Sequence, residues 1–283
     1  MSCLARQAQI LVAEAVDNKL GYEVQSARWA RWHTCGLCEQ RYHGPVKCAL
    51  GWACWKTYLG RPERDTTQIM AMSVLGNGLR DHGKRYQDAL DVYENNLAKE
   101  IRLGLDVSDT LSSMAICFNM LGRADEALEL ERRIYRTQLK RDPRLTDRNT
   151  FLAGNNLAGS LVRGRLYAEA RGLLKTIIPT ARRSLGDDHT ITLNLRGSWA
   201  QAIYMDSRAA SDEKNLVDAV ATCEDCVRIS RRVMGPTHPK HLNFQDDLRR
   251  ARAVLALARG EIDADACMEA FTRKNVGRIS TSC

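Results

Sequence analysis

From about residue 68 the apolar positions recur at three- and four-residue intervals, the spacing that places side chains on one face of an α-helix. Short polar turns interrupt the pattern, which then resumes, so the chain reads as successive pairs of amphipathic helices. Four segments share one outline: an apolar-periodic first helix, a turn, and a second helix with alanine in its first turn or so. The alanines are Ala89 in YQDAL, Ala127 in ADEAL, Ala170 in YAEAR and Ala219 in LVDAV, at spacings of 38, 43 and 49 residues. A helix pair of this kind has an apolar face that it cannot bury alone, and stacking of successive pairs turns those faces into one core. Alanine at a crossing lets two helix backbones approach. Tyr86 and Tyr167 stand three residues before two of the alanines, on the same helix face.

The turns fit this outline. Gly83, Gly122 and Gly164 precede second helices, where glycine readily takes the left-handed state that closes a helix. The units end in related phrases, RRSLGDDHT at 182–190 and RRVMGPTHP at 231–239. In each a basic last turn suits the helix C-terminus, Gly186 or Gly235 stops the helix, and Asp188 or Thr190 is a candidate cap for the next one. His189 and His238 occupy matching turns, where capping or packing accounts for them. Residues 206–214, DSRAASDEK, read as an extended inter-helix loop, and the helix from about 240 to 259 reads as a terminal cap.

The phrases NNLAGSLVRGRLYAEARGLL at 155–174 and ARRSLGDDHTITL at 181–193 resemble the extended tetratricopeptide repeats of kinesin light chain, a likeness that covers roughly residues 68–259. The resemblance implies an all-α fold, a right-handed superhelical array of antiparallel helix hairpins. The expected organisation is a small helical, Cys/Trp-rich segment at 1–65, repeats with a capping helix at 66–260, and a flexible tail at 261–283. It also implies a concave groove, lined by first helices, that binds a peptide or helix of a partner protein. Asn155 and Asn156 match the paired asparagines of that family. Repeat two carries Ser112 and Ser113 there instead.

Composition narrows the classes. Hydrophobic residues make up 44% and charged residues 27% of 283, which excludes disorder throughout. No apolar run approaches the ~20 residues that span a bilayer, and no secretion signal is evident, so the expected setting is intracellular, cytoplasmic and away from membranes. The net charge of +8 favours an acidic partner. No nucleic-acid-binding motif accompanies it, so a protein or peptide partner is preferred to nucleic acid. No phosphate loop and no nucleophile arrangement is present: Gly76-Asn77-Gly78 lacks the required pattern. Cys223 and Cys226 lie mid-helix on a stripe with Ala219 and Ser230, which reads as packing rather than as a redox pair.

The remaining chemistry lies at the start, where five of the ten cysteines fall within 54 residues. Cys35 and Cys38 form a C-x2-C pair, half of a tetrahedral zinc site. Cys35, Cys38, His43 and Cys48 keep the C-x2-C-x4-H-x4-C spacing of a zinc knuckle, with Tyr42 in place of the usual glycine. The start also resembles the end of a RING-CH zinc finger of the kind joined to such repeats in marine algae. In that resemblance Cys3 matches the sixth ligand, and Cys35 and Cys38 the seventh and eighth. It implies zinc as cofactor, a ubiquitin-conjugating enzyme as partner, and a fragment of a ubiquitin ligase whose repeats recruit substrate. Five ligands would precede residue 1, so catalytic activity is not expected of the chain as it stands. The packing alternative makes these cysteines buried hydrophobes. In it Leu4, Ile10, Leu11, Val16 and Leu20 form a core stripe, and Trp52, Trp55 and Tyr58 share a second helix. The leading reading is a non-catalytic protein-interaction scaffold.

Overall fold

The computed structural model describes residues 3–62, 64–82 and 85–272, and the chain divides into two compact units, residues 1–130 and 131–283. The first holds α1 (Cys3–Asp17), α2 (Tyr22–Trp29), a short 3-10 turn (Ala30–Trp32), α3 (Gly44–Tyr58), α4 (Thr66–Asp81), α5 (Tyr86–Arg102) and α6 (Ser108–Met120). α7 (Ala124–Arg141) begins in the first unit and ends in the second. There follow α8 (Arg148–Arg163), α9 (Tyr167–Leu185), α10 (Thr190–Tyr204), the short α11 (Ser207–Ala210), α12 (Glu213–Met234), α13 (Pro239–Ala258) and α14 (Ala264–Thr272). No strand forms among the described residues; the only extended pairing among them is a single bridge between Thr34 and Arg41. The fold is the all-α array of helix hairpins that the periodicity requires.

In the first unit α4 packs on α5 and α5 on α6, and the cysteine-rich start joins them. α3 lies along α4 as a second helix lies along the next first helix. Two glycines allow it. A Cβ built at Gly51 would stand 3.0 Å from the Leu75 Cα, and one at Gly78 would stand 3.0 Å from the Lys47 carbonyl. Ala5, Ala8, Val12, Trp29, Trp32, Leu50, Cys54, Tyr58, Ala71 and Val74 share one core, so residues 1–65 are not separate from the repeats. The Tyr58 ring lies 5.3 Å from Trp29 and 6.2 Å from Trp32.

α1 departs from the expected stripe. Leu4, Ile10 and Val16 are exposed, and the buried face is Ala5, Ala8, Val12 and Ala15. Small side chains at i, i+3, i+7 and i+10 bring α1 close to α3 and to the 3-10 turn, which larger residues would hold off. Trp52 is likewise exposed while Tyr58 is buried.

In the second unit α8 pairs with α9 and α10 with α12, and α8 and α10 also touch. α13 packs on α10 and α12, and α14 on α13. The expected loose tail therefore contains a helix at Ala264–Thr272, where Cys267 is buried; residues 273–283 lie outside the described residues. The four repeat alanines, Ala89, Ala127, Ala170 and Ala219, are all 0% exposed.

The turns correct the sequence reading in detail. Gly122, Gly186 and Gly235 take positive φ, as expected. Gly164 does not: α8 runs one residue further, and Arg165 carries the left-handed φ of 60°. Gly83 lies outside the described residues. The caps before α10 and α13 are His189 and His238, whose Nδ1 atoms accept the Ile191 and Lys240 N–H groups at 3.2 and 3.1 Å. Asp188 does not cap: it pairs with Arg232 of α12. Thr190 is the first residue of α10 itself.

Candidate functional site

The repeat register locates the candidate partner-binding positions within the second unit. Ala158 of α8 and Ala200 of α10 are equivalent, 42 residues apart and both 0% exposed. Asn156 then matches Ser198, and Asn155 matches Gly197. A Cβ at Gly197 would stand 2.9 Å from the Phe244 ring of α13, so this register position lies where one first helix meets the next. Asn155 accordingly is half-buried, and its Oδ1 is buried with no hydrogen-bond partner. Asn156 is half-buried as well.

On α10, Asn194, Ser198 and Gln201 follow at i, i+4 and i+7, all half-buried and on one face. Together with Asn156 and Gly159 of α8 they form a run of small and amide side chains on adjacent first helices. Its flank is basic. Arg196 is mostly buried and reaches Asp225 of α12 at 2.9 Å. The Asp225 carboxyl is held below its ordinary value by hydrogen bonds from Arg228 and Arg196. Such a surface offers donors and acceptors to an extended backbone and no nucleophile or paired acid and base.

Some other polar groups of this unit, among the described residues, are paired within its core. Ser230 Oγ and His241 Nδ1 lie 2.9 Å apart, both within the core, and burial pulls the imidazole below its ordinary value. Cys223 and Cys226 are buried among Tyr204, Leu216 and Phe244, and their thiols are pushed up by burial, that of Cys226 to about 12. Neutral thiols of this kind pack as hydrophobes.

In the first unit the C-x2-C pair forms a tight loop between Thr34 and Arg41. The Cys35 N–H donates to the Gln40 carbonyl at 2.8 Å, and the Leu37 N–H points at Cys35 Sγ at 3.4 Å. The Cys35 thiol is lowered from its ordinary value by the Cys38 and Leu37 backbone N–H groups and by the Cys38 thiol. The two sulfurs are therefore brought together. The other sequence-identified ligands are not. Cys3 lies on α1 beside Arg6 and Ile10, His43 is the exposed residue before α3, and Cys48 is buried in α3. Among the described residues no three His, Cys, Asp or Glu side chains are grouped to hold a metal ion. Zinc takes four ligands in a structural site, so Cys3, Cys35, Cys38, His43 and Cys48 do not fit one as they are placed within this chain.

Accessibility and thiolate character predict labelling order. Iodoacetamide on the native chain is expected to modify Cys35 at least roughly tenfold faster than Cys54, Cys117, Cys223 and Cys226. Peptide mass spectrometry measures this; Cys54 reacting as fast as Cys35 would contradict the packing of α3.

The tetratricopeptide repeat family matches residues 152–191, which span α8, α9 and the cap of α10. A comparison with curated protein sequences finds no match. Among solved structures, the chain is similar to a putative kinesin light chain from Podosopora anserina with nearly identical TPR-like repeats. The identity is 20%, the TM-score 0.51, and the match covers 76% of this chain and 94% of that one. It is also similar to BtubC (BKLC) from P. vanneervenii, at 17% identity and a TM-score of 0.53, over 96% of this chain and 91% of that one. At these identities the likeness shows the fold: a tetratricopeptide-like array of the kinesin-light-chain kind. Among the described residues, no helix is long and apolar enough to cross a membrane.

Proposed function

We propose that the chain is a non-catalytic protein-interaction scaffold, and that an extended peptide or helix of a partner lies across α8 and α10 of the second unit. The observation that carries this reading is the run of half-buried polar side chains on adjacent first helices, Asn156, Asn194, Ser198 and Gln201, on a rigid buried scaffold. Side-chain amides and hydroxyls there match the regularly spaced N–H and C=O groups of a bound backbone. The net charge of +8 favours acidic residues in the partner, which would speed association and make it salt-sensitive. The likeness to kinesin-light-chain repeats supports the same reading, and an intracellular, cytoplasmic setting belongs to it.

Asn156 is the residue we place in contact, with Asn155 serving the contact of α8 with its neighbour. Peptides selected from a displayed library by the full chain test this. Asn156→Arg, which adds bulk and charge at the surface, is expected to weaken the selected peptides by about tenfold or more. Lys175→Ala, on the exposed side of α9, is expected to leave them unchanged. Equal affinity for the parent and Asn156→Arg would remove α8 from the binding face. The ligase reading rests on the resemblance at Cys3, Cys35 and Cys38 alone.

A further inference from the structure

A second feature lies in the first unit and is independent of the scaffold reading. His33, Arg41, Lys47, Val74, Asn77 and Arg80 line a cavity of about 220 Å³. They come from four places: the end of the 3-10 turn, the far side of the Thr34–Arg41 bridge, the first turn of α3, and the last two turns of α4.

The charges in it do not balance. Arg41, Lys47 and Arg80 are three cations. One carboxylate, Asp81, serves two of them: it pairs with Lys47, and its Oδ1 accepts from Arg80 Nε at 2.9 Å. Burial pushes the Asp81 carboxyl up, but hydrogen bonds from Lys47 and Arg80 outweigh this and hold it below its ordinary value. No carboxylate pairs with Arg41 among the described residues, so two positive charges are in excess. Lys47 and Arg80 share that one carboxylate and are only 16% and 18% exposed, while Arg41 is exposed. Two largely withdrawn cations served by a single anion are under-compensated, and a second anion that enters beside Arg41 improves the balance.

The neutral groups are also set as donors. The Tyr93 hydroxyl donates to Asn77 Oδ1 at 3.0 Å, which leaves the Asn77 amide N–H groups for the cavity. His33 lines the cavity beside Arg41 and Lys47.

We propose that this cavity binds a phosphate monoester dianion. Two guanidinium groups, an ammonium and an amide converge from different elements, which suits the several oxygens of a tetrahedral group better than the two coplanar oxygens of a carboxylate. The excess of two positive charges matches a dianion. The phosphoryl group could be that of a small free ester or of a phosphorylated side chain, and the chemistry of recognition is the same.

The test uses the purified full chain, with inorganic phosphate as probe and acetate as control at equal ionic strength. Binding is followed by isothermal titration calorimetry. Phosphate is expected to bind at least about tenfold more tightly than acetate. Arg41→Gln, a change at an exposed loop residue, is expected to weaken phosphate binding about tenfold with an unchanged circular dichroism spectrum, and Arg183→Gln on α9 to leave it intact. No binding of phosphate, equal binding of acetate, or equal affinity for Arg41→Gln would each overturn the assignment. A short phosphoserine peptide provides a second arm. Tighter binding than inorganic phosphate assigns the site to protein-borne phosphate, and equal binding assigns it to a free ester.

Discussion

Phe151→Ala is expected to lower the unfolding free energy by about 3–5 kcal/mol, measured by urea denaturation with circular dichroism. Phe151 is 0% exposed, in the first turn of α8. It belongs to a core with Leu145 before α8, Leu174, Ile177 and Ala181 of α9, and Ile191 and Leu195 of α10, with Tyr135 and Leu139 of α7 packed against it. Removing the ring takes contacts from four segments at once. The cavity cannot close, because helices on each side are held by their other neighbours. Total stabilities are about 5–15 kcal/mol, so the loss is a large fraction. Two controls locate the effect. Leu152→Ala, at a half-buried position, is expected to cost clearly less, and Phe151→Leu, which keeps most of the volume, about 1–2 kcal/mol. A loss below about 1 kcal/mol for Phe151→Ala would mean that the ring does not fill the junction of α7, α8, α9 and α10.

The same residue shows what the sequence made legible. Phe151, Leu157 and Leu161 declare a buried helix face by spacing alone, and the alanines at 89, 127, 170 and 219 mark crossings because no larger side chain fits there. Period and side-chain size are local, and they carried the helix hairpins. Features that depend on which surfaces meet were not legible. The packing of α3 on α4 depends on Gly51 and Gly78, 27 residues apart, and neither glycine declares a partner. The stripe chosen on α1 followed hydrophobicity, whereas close approach to α3 selected the alanines. Gly164 illustrates a third case. The helix gained a residue and passed the left-handed turn to Arg165, a difference that packing decides and turn chemistry does not.

The candidate sites divide along the same line. Asn155 and Asn156 are adjacent in sequence and were equivalent on paper. Register sets Asn155 against Gly197, where one first helix meets the next, and Asn156 against Ser198, and both asparagines are half-buried. Cys35 and Cys38 meet because two intervening residues force it, while Cys3, His43 and Cys48 needed tertiary contacts that the fold does not make. The phosphate cavity had no sequence signal at all. His33, Arg41, Lys47, Asn77 and Arg80 follow no motif. Only the seating of α3 on α4 brings them together.

Glu131→Gln is expected to flatten the pH dependence of stability between about pH 4.5 and pH 7, and to make the chain more stable than the parent at pH 8. Glu131 is 3% exposed, its Oε2 has no hydrogen-bond partner, and burial pushes its carboxyl up to about 7 despite the nearby Arg163 charge. Arg163 is itself lowered by burial, so the attraction between the two does not repay the desolvation of either. The ordinary Glu value is about 4.3. Because the folded value is the higher one, the folded state holds the proton more tightly. Its advantage is complete below about pH 4.3, falls as pH rises towards 7, and is gone above that. One pH unit is worth about 1.4 kcal/mol, so the parent loses roughly 3 kcal/mol across the window. The glutamine removes that slope. It also leaves Arg163 without its opposing charge, so the gain at pH 8 is expected to be smaller, roughly 1–2 kcal/mol, and Glu131→Gln with Arg163→Met is expected to exceed it. Asp187, Asp206 and Asp225, held low by arginines, impose the opposite slope in more acid solution, and comparison of parent with variant cancels them. Urea midpoints at pH 5 and pH 8 suffice. Parallel changes in parent and Glu131→Gln would show that Glu131 is ionised in the folded chain throughout.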